Sequence, residues 1–355
     1  MARILVPTRN RPAALDNLLG YLHQFYPGTG VIIADGSADQ FKAETGRAAA
    51  RSRKLDVDYR PYPYYYPFFD RILDVLGAIN DPFVVMGADD DYPMMELFEQ
   101  EEHFLAGNPD YVSAMGPTVN LMYDGSAELK VRLNTVRPIT ADDPRKRAMQ
   151  YAAWPFSTTY AITRRAALIN RYRRSREVFL TGFYDYGAGV QDCFQGKIKA
   201  LPDLGYFGTR NSNHSYLRPE SKLVFARKAQ LLLAYAENIK SDFVTFGGAT
   251  EDEATEKSET ITRWFVAEYC GRRAFTQSGF ENSTMANELV VRQQSQLFHG
   301  LFTRGTAARK TYGERLEYVA AALRANNASS DNGGEKAFYE SLEEQAGTEV
   351  RDAAI

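Results

Sequence analysis

The segment with the clearest capacity for chemistry is Asp89-Asp90-Asp91, a run of carboxylates behind the apolar stretch Phe83-Val84-Val85-Met86 and a Gly87-Ala88 step. The stretch reads as a short buried strand that the glycine allows to end tightly, so the carboxylates sit at a strand tip. In an extended chain alternate side chains share a face, which predicts Asp89 and Asp91 on one side and Asp90 on the other. Converging carboxylates repel one another unless a cation lies between them. Hard oxygen ligands suit Mg2+ or Mn2+, which take few protein carboxylates and complete their shell with water or phosphate. A solvated acidic turn is the other reading, and the triplet alone leaves both open.

The elements around the triplet must position it. Arg3 to Val6 reads as a strand ending at Pro7-Thr8-Arg9-Asn10. Leu15, Leu18, Leu19, Leu22 and Phe25 then fall at helical spacing, which predicts a helix from Pro12 with Asn10 as its cap. Val31 to Ala34 gives a strand ending in Asp35-Gly36-Ser37, and Leu55 to Tyr59 gives another. A helix bearing Ile72, Leu73, Leu76 and Ile79 precedes the 83–86 strand; a helix from Pro93 to Ala106 and a strand from Tyr111 to Met115 follow it. This alternation predicts an α/β fold with a mostly parallel central sheet flanked by helices. Ligands in such folds bind beyond the carboxyl ends of the strands. Thr8-Arg9-Asn10, Asp35-Gly36-Ser37 and Asp89 to Asp91 all fall at such ends, which favours a metal site over an acidic turn.

The pattern changes after residue 116. Val119 to Tyr123 and Leu129 to Leu133 flank Asp124-Gly125 as a hairpin. A strand is expected over Ser157 to Thr163, a helix opening at Arg164-Arg165, a short helix after Gln191-Asp192, and a strand within Lys197 to Tyr206. Arg210 to Tyr216 reads as a polar loop. From Ser221 onward the chain reads as helical, with Glu251 to Glu259 a linker or helix start, until a low-complexity break at Ala325 to Gly334.

Composition sets limits on function. The 355 residues are 44% hydrophobic and 25% charged, values of a soluble globular protein. With 42 basic and 45 acidic residues the net charge is −3, which gives no reason to expect a nucleic-acid partner. Cys193 and Cys270 are too few for a disulfide framework or a thiolate zinc site, and point to a reducing cytoplasm. No apolar run reaches membrane-spanning length, which leaves peripheral contact with the inner face of a membrane open. The cluster Tyr59 to Phe69 holds prolines that exclude a regular helix. Its rings suit stacking on a sugar or base, or covering the core.

These motifs together resemble glycosyltransferases of the GT-A fold, nearest to family 2, over roughly residues 1–216. Ile4 to Pro12 is similar to that family's opening strand and nucleotide loop, and Val31 to Asp39 to its second strand ending in Asp-Gly-Ser. Asp89-Asp90-Asp91 stands in the place of its DxD motif, and Gln191-Asp192 in the place of a Glu-Asp pair at a helix start. The resemblance implies donor contacts from Pro7, Thr8, Arg9, Asn10, Asp35, Gly36, Ser37, Asp89 and Asp90. It implies Asp91 as the direct ligand of Mn2+ or Mg2+, Asp89 as a second ligand or on the ribose or a metal-bound water, and Asp90 on the donor sugar. His214 is implied as a further metal or diphosphate ligand, or is a plain loop histidine.

On the same resemblance, Asp192 is the general base for the acceptor hydroxyl, with Asp185 in reserve; helix capping is the competing role for both. Trp154 and Tyr184 fall on the acceptor side, where Trp154 stacks on a sugar or fills the core. Ser157 to Arg165 is similar to the family's acceptor-side strand, with Ser-Thr-Thr in place of its Gly-rich opening. The chain then divides into a catalytic domain at 1–220 (nucleotide half 1–116, acceptor half 117–220), a helical region at 221–325 and a polar tail at 326–355. The implied activity is metal-dependent, inverting transfer from a nucleotide-diphosphate sugar, a UDP-sugar first, to a glycan or lipid-linked acceptor, as in polysaccharide biosynthesis, by a protein that could be a homo-oligomer. A nucleotidyltransferase would show a Gly-rich loop and lysine after the first strand, which Pro7 to Pro12 lacks. A non-catalytic glycan-binding or scaffold protein would not need the intact carboxylates.

Overall fold

The computed structural model describes residues 2–123, 129–177, 184–211, 229–269 and 285–329. Its strands are β1 (Arg3–Thr8), β2 (Gly30–Asp35), β3 (Asp56–Pro61), β4 (Phe83–Met86), β5 (Tyr92–Pro93), β6 (Tyr111–Met115), β7 (Thr118–Tyr123), β8 (Lys130–Asn134), β9 (Ile162–Arg164), β10 (Lys197–Ala200) and β11 (Tyr206–Asn211). The helices are α1 (Pro12–Phe25), α2 (Asp39–Arg51), α3 (Phe68–Ala78), α4 (Met95–Gly107), α5 (Pro144–Ala153), α6 (Arg165–Glu177), α7 (Tyr184–Gln195), α8 (Ala229–Thr245), α9 (Glu251–Tyr269), α10 (Met285–Phe302) and α11 (Ala307–Ser329).

A seven-stranded sheet in the order β10-β6-β9-β4-β1-β2-β3 forms the centre, and only β9 runs against the rest. The mostly parallel sheet flanked by helices is the fold class expected from the sequence. A parallel sheet buried on both faces needs continuous apolar strands, and Val31 to Ala34 and Val84 to Val85 are completely buried. On α1 the stripe Leu15, Leu18, Leu19 and Leu22 faces this core. A side chain at Gly87 would place its Cβ 2.8 Å from a methyl of Ile4, so only glycine fits where the chain leaves β4 beside β1. The second sheet, β5-β11-β7-β8, pairs β11 antiparallel to β5 and parallel to β7. Because β5 begins at Tyr92, the end of the Asp triplet is pinned to β11.

Several local expectations need correction. Asn10 does not cap α1: its backbone is left-handed, at φ 56°, and its side chain accepts a bond from the Ala38 N–H at 2.9 Å. The short polar side chain is what makes that conformation accessible. The unexpected α2 buries only Thr45, Ala48 and Ala49, too small a stripe to read as a helix face. The equally unexpected α5 starts on Pro144 behind Asp143, whose carboxylate accepts from the Arg145 N–H at 2.8 Å. The strand expected over 157–163 shrinks to β9, because the Ala161 N–H turns back to the Thr158 carbonyl at 3.2 Å. The start of α7 at Tyr184 puts Gln191-Asp192 in its third turn rather than at a helix start. α11 is a further helix, and it runs through the expected break at 325 as far as Ser329.

The helices after residue 229 share cores with the sheets. Tyr235, Ile239 and Phe243 of α8 and Ile261 and Phe265 of α9 join Val112, Tyr151 and Ile198 in one buried cluster. Leu301 of α10 and Tyr312, Leu316 and Val319 of α11 join Ile4, Leu18 and Tyr206 in another. Among the described residues, no helix is long and apolar enough to cross a membrane.

Candidate functional site

The tips of β1, β2 and β4 meet at one rim, and side chains tie them together. Thr8 lies opposite Asp35 in the β1–β2 register. The Thr8 hydroxyl donates to Asp89 Oδ2 at 2.7 Å, and the Asn10 N–H donates to Ser37 Oγ at 2.8 Å. Asp35 is completely buried and accepts from the Ser37 N–H and the Tyr59 hydroxyl, each at 2.8 Å. In this geometry the Asp35 carboxylate shapes the turn, with both oxygens engaged inside the protein. Behind Gly36 the buried Arg71 donates to the Thr8 and Ala34 carbonyls at 3.1 and 3.0 Å. A Cβ on Gly36 would lie 2.1 Å from that guanidinium, which explains the glycine. Burial, followed by the neighbouring Arg9 charge, lowers the Arg71 pKa to about 10.

The carboxylates divide differently from the alternation expected. Asp89 and Asp90 form a turn, so both reach the same partner: Arg11 donates to Asp89 Oδ1 at 2.7 Å and to Asp90 Oδ2 at 2.5 Å. Asp91 points towards the second sheet. Its Oδ1 accepts from the Thr209 N–H of β11 at 2.6 Å, and its Oδ2 accepts from the Tyr160 hydroxyl. Tyr160 in turn stacks on Tyr206 at 4.5 Å. Burial, and then the charge of Asp90, lifts the Asp91 carboxyl to about 7, against the hydrogen bonds of Tyr160 and Thr209. A carboxylate in that condition is short of positive charge.

Among the described residues no group of three or more His, Cys, Asp or Glu is arranged as a metal cage. Mg2+ and Mn2+ do not require one, since water and substrate phosphate fill most of their shell. The hard-oxygen donor set and the charge deficit at Asp91 fit such an ion. His214, expected as a further ligand, lies outside the described residues.

Arg9 extends from the β1 tip with its guanidinium 4.1 Å from the Tyr64 ring centroid. The aromatic cluster thus splits between the two roles left open, since Phe69 is core while Tyr64 and Tyr65 are exposed. Trp154, at the end of α5, has the Arg137 guanidinium 3.9 Å over its ring, so that face is already covered.

Asp192 is not at the rim. It is completely buried within α7, where Arg171 of α6 grips it with Nε donating to Oδ1 at 3.0 Å and Nη2 to Oδ2. The Thr158 hydroxyl adds a bond to Oδ2 at 2.8 Å. Burial raises its carboxyl above the ordinary range, while the Arg171 charge pulls it back. In this arrangement the Asp192 carboxylate holds α6 to α7 and does not face the rim, which favours a structural role over the expected one of general base. The other end of α7 is placed differently. Only Gly196 separates α7 from β10, which runs parallel to β6 and therefore to β4. α7 thus ends at the far side of the sheet, and its first residues, Tyr184 and Asp185, lie roughly 18 Å back towards the rim of the Asp triplet.

Sequence reasoning missed Arg11, Tyr59, Arg71, Tyr160 and Thr209, all of which hold this rim. Arg11 sat inside the quoted loop motif, but only its register against the triplet shows which carboxylates it meets.

No protein-family model and no curated protein matches the chain. Among solved structures it is similar to TarS 1–349 from S. aureus in complex with UDP-GlcNAc, at 15% identity over 92% of this chain and 89% of that one, with a TM-score of 0.48. It is also similar to the mannosyltransferase PcManGT from Pyrobaculum calidifontis in complex with GDP-Man and Mn2+, at 14% identity over 93% and 87%, with a TM-score of 0.45. These are distant likenesses, and the reading below rests on the chain's own residues.

Proposed function

We propose that this protein is a glycosyltransferase that moves a sugar from a nucleotide-diphosphate donor, a UDP-sugar in the first instance, to a glycan or lipid-linked acceptor. The observation that carries the reading is the convergence of the β1, β2 and β4 tips on one rim, fastened by Thr8–Asp89 and Asn10–Ser37, with a carboxylate cluster at its edge. Pro7, Thr8, Arg9 and Asn10, with Gly36 and Ser37, form the donor-side loops. Arg9 on Tyr64 offers a flat cationic and aromatic face suited to a base or diphosphate.

Asp91, with Asp89 and Asp90, would hold Mn2+ or Mg2+, which as a Lewis acid stabilises the charge that develops on the leaving diphosphate. The chain's part is positional: Tyr160 and the Thr209 N–H fix the Asp91 carboxylate, and Thr8 fixes Asp89. Inversion at the anomeric carbon requires a base for the acceptor hydroxyl. Asp185 takes that role in place of Asp192, because its end of α7 returns towards the rim. Asp185→Asn is expected to lower turnover by about 10²–10⁴-fold while UDP binding, followed by calorimetry, stays unchanged. Turnover within twofold of wild type would remove Asp185 from the mechanism.

A further inference from the structure

We propose that Arg11 is a tethered cation that holds Asp89 and Asp90 until a divalent ion displaces it, and that the freed guanidinium then grips the diphosphate of the donor. The inference rests on the nucleotide-sugar reading and concerns how this chain's site exchanges charge. One guanidinium spans two adjacent carboxylates, at 2.7 Å to Asp89 and 2.5 Å to Asp90. A divalent ion bound to those oxygens would sit about 2.1 Å from them. The ion and the guanidinium carry like charge and would compete for those oxygens.

Arg11 is built to be the one that leaves. Its side chain is 31% exposed, whereas that of Arg171, which holds Asp192, is 0% exposed. It stands immediately before Pro12 at the start of α1, so its backbone stays at the rim while its side chain swings. A planar guanidinium beside a phosphate-bearing ligand makes paired charge-assisted bonds that a point charge cannot reproduce. The charge count agrees. Arg11 sets one positive charge against the two carboxylates it bridges, and exchanging it for a divalent ion offsets both while freeing a cation for the incoming diphosphate.

The test is calorimetric and uses the full chain, first with Mn2+ alone and then with UDP at saturating Mn2+, for wild type, Arg11→Gln and Arg11→Lys. Arg11→Gln is expected to bind Mn2+ about tenfold more tightly and UDP about tenfold more weakly, each near 1.4 kcal/mol. Arg11→Lys should fall between the two proteins in both titrations, which separates charge exchange from general loosening of the site. Arg11→Gln binding Mn2+ no more tightly than wild type overturns the inference; if both proteins still bind UDP with Mn2+, the nucleotide-sugar reading stands. If neither protein binds Mn2+ or UDP, the inference and the reading fall together.

Discussion

Two arginine–aspartate sets in this molecule use the same functional groups for opposite ends. At the rim, Arg11, itself 31% exposed, bridges Asp89 and Asp90, whose side chains are 5% and 13% exposed, on the outgoing turns of β1 and β4. Away from the rim, Arg171 and Asp192 are both 0% exposed and join α6 to α7, with Thr158 fastening the loop before β9. A pair whose arginine reaches water can open, while a pair sealed on both sides cannot lose one member without stranding a charge. On the proposed function, location relative to the sheet rim, more than residue type, separates a working carboxylate from a structural one.

The largest effect expected from this contrast is on folding. Asp192→Ala leaves the Arg171 guanidinium buried without its counter-charge and should cost about 3–5 kcal/mol of stability in urea unfolding. Asp89→Ala, whose carboxylate is buried but whose arginine partner reaches water, should cost less by the same measurement, about 1–2 kcal/mol for the lost Thr8 and Arg11 bonds. Equal costs at the two sites would break the comparison.

A smaller effect tests a buried carboxylate that has no arginine. Glu101 of α4 is buried, and desolvation pushes its carboxyl well above the ordinary range, with the Gly116 N–H pulling the other way. The folded protein thus holds a proton that the unfolded chain releases near pH 4.5. Its stabilising contribution is complete below that pH and is lost as pH rises towards the folded-state value. Between about pH 5 and 8 the wild-type melting temperature should fall relative to that of Glu101→Gln. Parallel profiles for the two proteins would show that Glu101 is ionised in the fold.

Much of the nucleotide half was legible because its signals are local. Apolar runs gave β1, β2 and β4, leucine spacing gave α1, and the polar tips marked the rim. The acceptor half was harder. Asp192 read as a base because Gln191-Asp192 looks like a helix-opening pair, yet α7 begins at Tyr184, in a stretch whose glycines and tyrosines conceal a helical period. Its partner Arg171 comes from a different helix, and long-range pairing leaves no trace in spacing. The division among the carboxylates failed for a backbone reason. Alternation assumes an extended chain, and Asp89-Asp90 turns instead, sending Asp91 to Tyr160 and Thr209, residues separated from it in sequence by 69 and 118 positions. The small-residue helix α2 was hidden because alanine and threonine leave no hydrophobic period.

On the proposed function the rim carboxylates, and not the Arg171–Asp192 pair, carry the chemistry. The most direct measurement is release of nucleoside diphosphate from a panel of nucleotide sugars with Mn2+, by wild type and Asp91→Asn. Asp91→Asn exchanges a carboxylate already lifted to about 7 for a neutral amide and should fold normally. The account predicts release from at least one donor by wild type and a loss of about 10²–10³-fold in Asp91→Asn at unchanged melting temperature. No release from any donor, or equal release by the two proteins, would contradict it.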